Sequence, residues 1–141
     1  MQVPMKPLIA FLAALAVIVP SIAFAADDRC PIESLSIADI TKGISQAPTC
    51  DVALKMFQKC SVGTSGDIGI GEVVTQKCEA LFKGKLSAQQ TRAYSHARQV
   101  CDSKYAKEDG TMYRSFEAFC RAQAAHKAAT PFFQSVKPQA K

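Results

Sequence analysis

Six cysteines, two histidines and a few carboxylates in glycine-rich or turn-forming surroundings are the residues with most chemistry to offer in this chain. Zinc sites ask for cysteine or histidine pairs two to four residues apart, and thioredoxin-like exchange asks for Cys-x-x-Cys. The closest cysteines are Cys50 and Cys60, so neither pattern occurs and no metal or cofactor is expected. His96 and His126 lack the His-x-x-x-His spacing of a helical metal site, and Ser95, Thr111 and Ser115 have no Gly-x-Ser-x-Gly turn around them. Glycines 63, 66, 69 and 71 surround Asp67 and precede Glu72, without the lysine and hydroxyl residue that complete a phosphate loop. What remains is acid–base chemistry: Asp67 or Glu72, brought within hydrogen-bond reach of His96 in one pocket, would make a small envelope hydrolase. Nothing in the sequence selects such a pair, and the chain reads as a non-enzyme. Glu108 and Asp109, in a turn, and the aromatic pair Phe132 and Phe133 are the candidates for contact with a partner.

Structural disulfides suit the cysteines better. Residues 1–25 carry one charge, Lys6, an apolar run from Leu8 to Val19, and small residues at Ala23 and Ala25, the pattern of a secretory leader cleaved after Ala25. The run is well short of the roughly 20 residues that span a bilayer, and no cysteine stands at the first mature position, so no stable membrane anchor is expected. All six cysteines follow the leader, and an even count in an exported chain points to three bridges and a periplasmic or secreted location. Charge excludes little. There are 17 Lys and Arg against 12 Asp and Glu, and loss of Lys6 takes the net charge from +5 to +4. Lys55, Lys59, Lys77, Lys83, Lys85, Arg92 and Arg98 are spread among acids instead of forming one basic face, so nucleic acid is not an expected partner.

The elements that must position these residues read as helices throughout. Tyr94, Ala97, Cys101 and Tyr105 share one helical face, and Met112, Phe116, Phe119 or Cys120, and Gln123 or Ala124 share another, with Gly110 and an N-cap Thr111 between them. In that hairpin Cys101 and Cys120 are symmetric about Gly110 and can bond. Further helices are expected over about Ile32 to Lys42, stopped by Gly43, with Leu35, Ala38 and Ile40 or Ile44 inward; Cys50 to Cys60, capped by Thr49; and Glu72 to Lys83. Residues Ser61 to Gly71 read as a loop. Ser87 and Gln90 form a capping box, and a last helix runs to about Ala128. The expected architecture is an all-α bundle of antiparallel hairpins over 26–130, with a tail at 131–141. Symmetry about Thr64 would also join Cys50 to Cys78 and leave Cys30 for Cys60. The local alternative, Cys50 to Cys60, requires Cys50 to lie outside the helix, because ten residues of helix separate the thiols by about 15 Å.

The segment QQTRAYSHARQVC, followed by a variable turn and then Gly110, Thr111 and Cys120, resembles the last third of the lysozyme-inhibitor LprI-like family. Cys50 and Cys60 match that family's earlier pair of nearby cysteines. Tyr94 stands near the family's tryptophan with a one-residue gap, Ala97-Arg98 replaces its Tyr-Arg, and Cys30 and Cys78 have no counterpart. The resemblance implies a small secreted helical protein, inhibition of lysozyme in some members, and a Cys50 to Cys60 bridge; both pairings of these cysteines stay open at this point. The functional expectation is an exported binding protein of the cell envelope, its partner a protein such as lysozyme or an envelope polymer. The alternatives are the loop-carboxylate hydrolase and a purely structural, stress-related secreted protein.

Overall fold

Three of the helix starts are fixed by side-chain caps. In the computed structural model, which describes residues 28–135, the hydroxyls of Ser36, Thr49 and Ser87 accept from the backbone N–H groups of Asp39, Val52 and Gln90. They open α1 (Ile37–Ser45), α2 (Cys50–Cys60) and α4 (Ala88–Tyr105). Gln90 completes the capping box by accepting from the Ser87 N–H. The other two helices, α3 (Gly66–Phe82) and α5 (Thr111–Ala129), have no side-chain cap. At α5 the expected Thr111 is inside the helix, and Gly110, at φ 108°, makes the turn into it. A terminal 3-10 helix over Thr130–Ser135 ends the described chain.

All regular structure among the described residues is helical. α3 and α5 form the central pair, with α1 and α2 against them, and α4 lies along α5. Ile40, Ile44, Leu54, Phe57, Ile70, Val74 and Phe82 fill the core. The central pair is close because its contact faces are small. Ser115, Ala118, Ala122, Ala125 and Ala129 are the buried side chains of α5, while Met112 and Phe116, expected inward, are 48% and 43% exposed. A Cβ on Gly71 would stand 2.9 Å from the Ala118 Cβ and 3.2 Å from its backbone, so these helices meet where only glycine fits.

Close approach also explains two other departures. The segment expected as a loop to Gly71 turns helical at Gly66, because Gly66 and Gly71 are contact positions whose tertiary fit outweighs glycine's poor helix propensity. Gly43 does not stop α1, which continues to Ser45; Ile32 lies over it, 2.6 Å from where a Cβ would be. The chain before Ser36 is not helical, which leaves Leu35 70% exposed instead of inward, and Ala38 is exposed as well.

Three disulfides tie these elements: Cys30–Cys60, Cys50–Cys78 and Cys101–Cys120. Cys50 and Cys60 sit at opposite ends of the unbroken α2 and bond to different partners, against the pairing implied by the LprI-like resemblance. The long-range pairs drawn from hairpin symmetry are those present. Such bridges indicate an oxidising environment. Among the described residues no helix is long and apolar enough to cross a membrane. The expected leader, residues 1–25, and the end of the tail, 136–141, lie outside the described residues.

Candidate functional site

Asp67 and His96 are not brought together. Asp67 stands at the start of α3, fully buried, and its carboxylate accepts from the N–H groups of Val62 (3.2 Å), Gly63 (2.8 Å) and Thr64 (3.2 Å) and from the Ser115 hydroxyl (2.7 Å). Its acceptor positions are taken by structural donors. It clamps the 61–65 turn onto α5, which is an anchoring task instead of a catalytic one. Glu72 is exposed and accepts from the Gln76 amide. His96 is exposed on α4, in a shallow depression with Gln99, Val100, Ser103 and Lys104.

A carboxylate–imidazole pair does form, from residues 75 positions apart. The first turn of α2 presents Asp51 and the last turn of α5 presents His126, with Nε2 and Oδ1 at 3.1 Å. Lys55 binds the other Asp51 oxygen at 2.8 Å. The Lys55 hydrogen bond above all holds the Asp51 carboxyl below the usual range, against the opposing effect of burial and with a lesser contribution from the His126 hydrogen bond. Phe133 covers the imidazole with ring centroids 5.1 Å apart, and a cleft of about 360 Å³ opens beside it between Pro48, Thr49, Lys77 and Leu81. A carboxylate can orient an imidazole as a base, but hydrolysis also needs a nucleophile. Among the described residues no serine, threonine or cysteine side chain bonds to the His126 imidazole; the Thr130 hydroxyl donates to the His126 backbone carbonyl instead. Sequence reasoning passed over the pair, since neither residue stands in a motif.

Tyr94 and Arg98 of α4 share Glu79 of α3. Burial, with the Glu79 hydrogen bond second, pushes the Tyr94 hydroxyl well above the ordinary phenol range. On α5, Glu117 lies between Arg114 and Arg121, and Arg121 crosses to Asp102 of α4. Asp102 above all holds the Arg121 guanidinium in its charged form. These networks fasten helices to one another.

The last expected contact residues divide between the two ends of the bundle. Phe132 and Phe133 are half-buried and fold back, Phe132 toward Phe82 and Phe133 onto His126. Glu108 and Asp109 are exposed in the α4–α5 turn. Beside that turn lies an apolar end. Ile37 covers Gly66, Met112 lies over Gly63, and Phe116 is one helical turn beyond Met112, in ring contact with Tyr105 and Tyr113. Val62 is 69% exposed next to Gly63, and Leu35 precedes Ile37. Asp67 holds this end in shape, since its three backbone donors belong to the turn that carries Val62.

Fold and surface together define a disulfide-stapled, all-helical protein with an exposed apolar end. No protein-family model, curated protein or solved structure matches the chain, so what it does has to be reasoned from its own residues.

Proposed function

We propose that the protein is a small binding protein, exported to the periplasm or beyond the cell, that presents the apolar end of its bundle to a protein partner. The observation that carries the reading is the grouping of Ile37, Val62, Met112 and Phe116 around a turn clamped by a buried carboxylate. Contiguous exposed apolar side chains mark interaction surfaces more often than scattered ones do, and a turn already ordered loses little entropy on binding. The expected leader and the oxidised cysteines support the location.

The LprI-like resemblance makes lysozyme the first partner to test. Glu108 and Asp109 at the rim favour a basic lysozyme; the net positive charge of the chain works against it. Lysis of peptidoglycan by one basic and one acidic lysozyme should be measured with and without the oxidised protein. Inhibition lost in Val62→Asp and Met112→Asp supports the reading, and no inhibition of either enzyme removes lysozyme as the partner. The Asp51–His126 pair favours a second reading, a small envelope hydrolase acting through a bound water. Hydrolysis of an ester substrate that disappears in His126→Gln would support it.

A further inference from the structure

We propose that the cleft between α4, α5 and the terminal 3-10 helix binds a single-chain aliphatic carboxylate, its tail along the cleft and its headgroup at Lys127. The cleft holds about 270 Å³ and lies at the end of the bundle away from the α4–α5 turn, where α4 begins and α5 ends. Its walls are Leu86, Ala93, the Tyr94 ring, Ala97, Ala128 and Pro131, a surface that offers an alkyl chain nothing to hydrogen-bond. Besides Tyr94, the polar side chains that line it are Lys127 and Gln90. Lys127 is exposed and lines the cleft, and its ammonium has no hydrogen-bond or ion-pair partner among the described residues. Gln90 also lines it, and its amide oxygen is already occupied by the Ser87 N–H, which leaves the amide nitrogen as the group to offer. The Tyr94 hydroxyl is turned away to Glu79, whose charge Arg98 offsets.

An apolar cleft with one uncompensated cation and one amide donor selects for an apolar body with an anionic acceptor at its end. The other concave sites are built differently. Arg114 and Arg121 face Glu117 and Asp102 across theirs, and Lys77 beside Asp51 donates to the Ser45 carbonyl. Among the described residues Lys104 has no acidic partner either, but it stands in a shallow depression with His96, Gln99 and Ser103, whereas the walls of the α4–α5 cleft are almost all apolar.

The test is calorimetric titration of the oxidised protein with octanoate, decanoate and dodecanoate, each below its micelle concentration. The expected result is saturable one-to-one binding that tightens roughly fourfold per methylene while the tail still gains wall contact. Lys127→Glu should weaken binding about tenfold, because attraction of the headgroup becomes repulsion. Ala93→Phe, at an exposed position on the rim, should abolish it by filling the cleft, with an unchanged thermal midpoint showing that the fold is intact. Decylamine should not bind. The inference is overturned by absence of saturable binding, by affinity independent of chain length, by decylamine binding as well as decanoate, or by Lys127→Glu behaving as wild type. Co-sedimentation with anionic phospholipid vesicles in the absence of any monomer binding would overturn it too, because the protein would then be attracted to a charged surface.

Discussion

Replacing Asp67 by alanine should destabilise the protein by about 3 kcal/mol, although its carboxylate touches no other helix except at Ser115. Four donors lose their acceptor at once: the N–H groups of Val62, Gly63 and Thr64, and the Ser115 hydroxyl. The three N–H groups belong to a partly exposed turn and can be rehydrated, so each contributes no more than about 0.5 kcal/mol net. Ser115 is 4% exposed and cannot reach water, so its stranded hydroxyl accounts for roughly a further 1 to 2 kcal/mol. With a urea slope on the order of 1 to 1.5 kcal/mol per molar for a domain of this size, the unfolding midpoint should fall by about 2 to 3 M. Asp67→Asn should recover part of the loss, because the four shorter bonds converge on Oδ2, where an amide oxygen can stand, while the amide nitrogen would face only the 3.4 Å Val62 contact. Circular dichroism of urea unfolding, with the disulfides intact, is the assay. Ser115→Ala and the double variant complete a thermodynamic cycle whose coupling should reach about 1 kcal/mol. A midpoint shift under 0.5 M in Asp67→Ala, or strict additivity in the cycle, would refute the clamp.

Gly71→Ala should destabilise by about 1 to 2 kcal/mol in the same assay, since the new methyl meets the Ala118 backbone, whereas Gly69→Ala, with nothing within 4 Å of its Cβ position, should stabilise by up to about 1 kcal/mol. Equal effects at the two positions would contradict the close contact of α3 and α5. Replacing Cys101 and Cys120 together by alanine should lower stability by about 3 kcal/mol, read as a lower thermal midpoint, and an unchanged midpoint would show that their bridge does not restrict the unfolded chain. Asp51 titrates below its ordinary value when folded, so its stabilising effect is present above the unfolded value of about 3.9 and is lost as pH falls through the lower folded one. The stability difference between wild type and Asp51→Asn should therefore be present near pH 5 and shrink toward zero in acid, staying under about 1 kcal/mol because the side chain is 39% exposed.

Helices whose caps are local were legible in the sequence: Thr49 and the Ser87–Gln90 box mark the starts of α2 and α4 because the bonds span three residues. Hairpin symmetry pointed to Cys101–Cys120 and, with the pairing of Cys50 still open, to Cys50–Cys78, since antiparallel helices bring residues equidistant from a turn to the same height; Cys30–Cys60 was then what remained. What stayed hidden depends on contacts distant in sequence. Glycines at 66 and 71 suggest a loop until Ile37 and Ala118 are seen against them, and the buried face of α5 was sought among its large apolar residues when it is made of serine and alanine. Asp67 looked available for catalysis because nothing near it announces Ser115, 48 positions on. His126 looked solitary because its partner precedes it by 75.

The pattern of bridges divides the backbone into two covalent rings joined by a single thread. The Cys30–Cys60 and Cys50–Cys78 loops overlap across α2, so one backbone cut anywhere from 30 to 78 leaves its fragments bonded, and a cut inside the Cys101–Cys120 loop does the same. Only between 78 and 101 does one cleavage part the described chain into two large pieces. That stretch contains the exposed turn Lys83-Gly84-Lys85, two basic residues flanking a glycine at φ 73°, in the reach of a trypsin-like protease. After such a nick no covalent bond would join the two described pieces, which would be held chiefly by the apposed faces of α3 and α5 and by the hydrogen bonds Ser115–Asp67, His126–Asp51 and Tyr94–Glu79 that cross the cut. Resistance to proteolysis is thus unevenly distributed along the chain, and this turn is the natural place to divide the protein into two chains that reassemble.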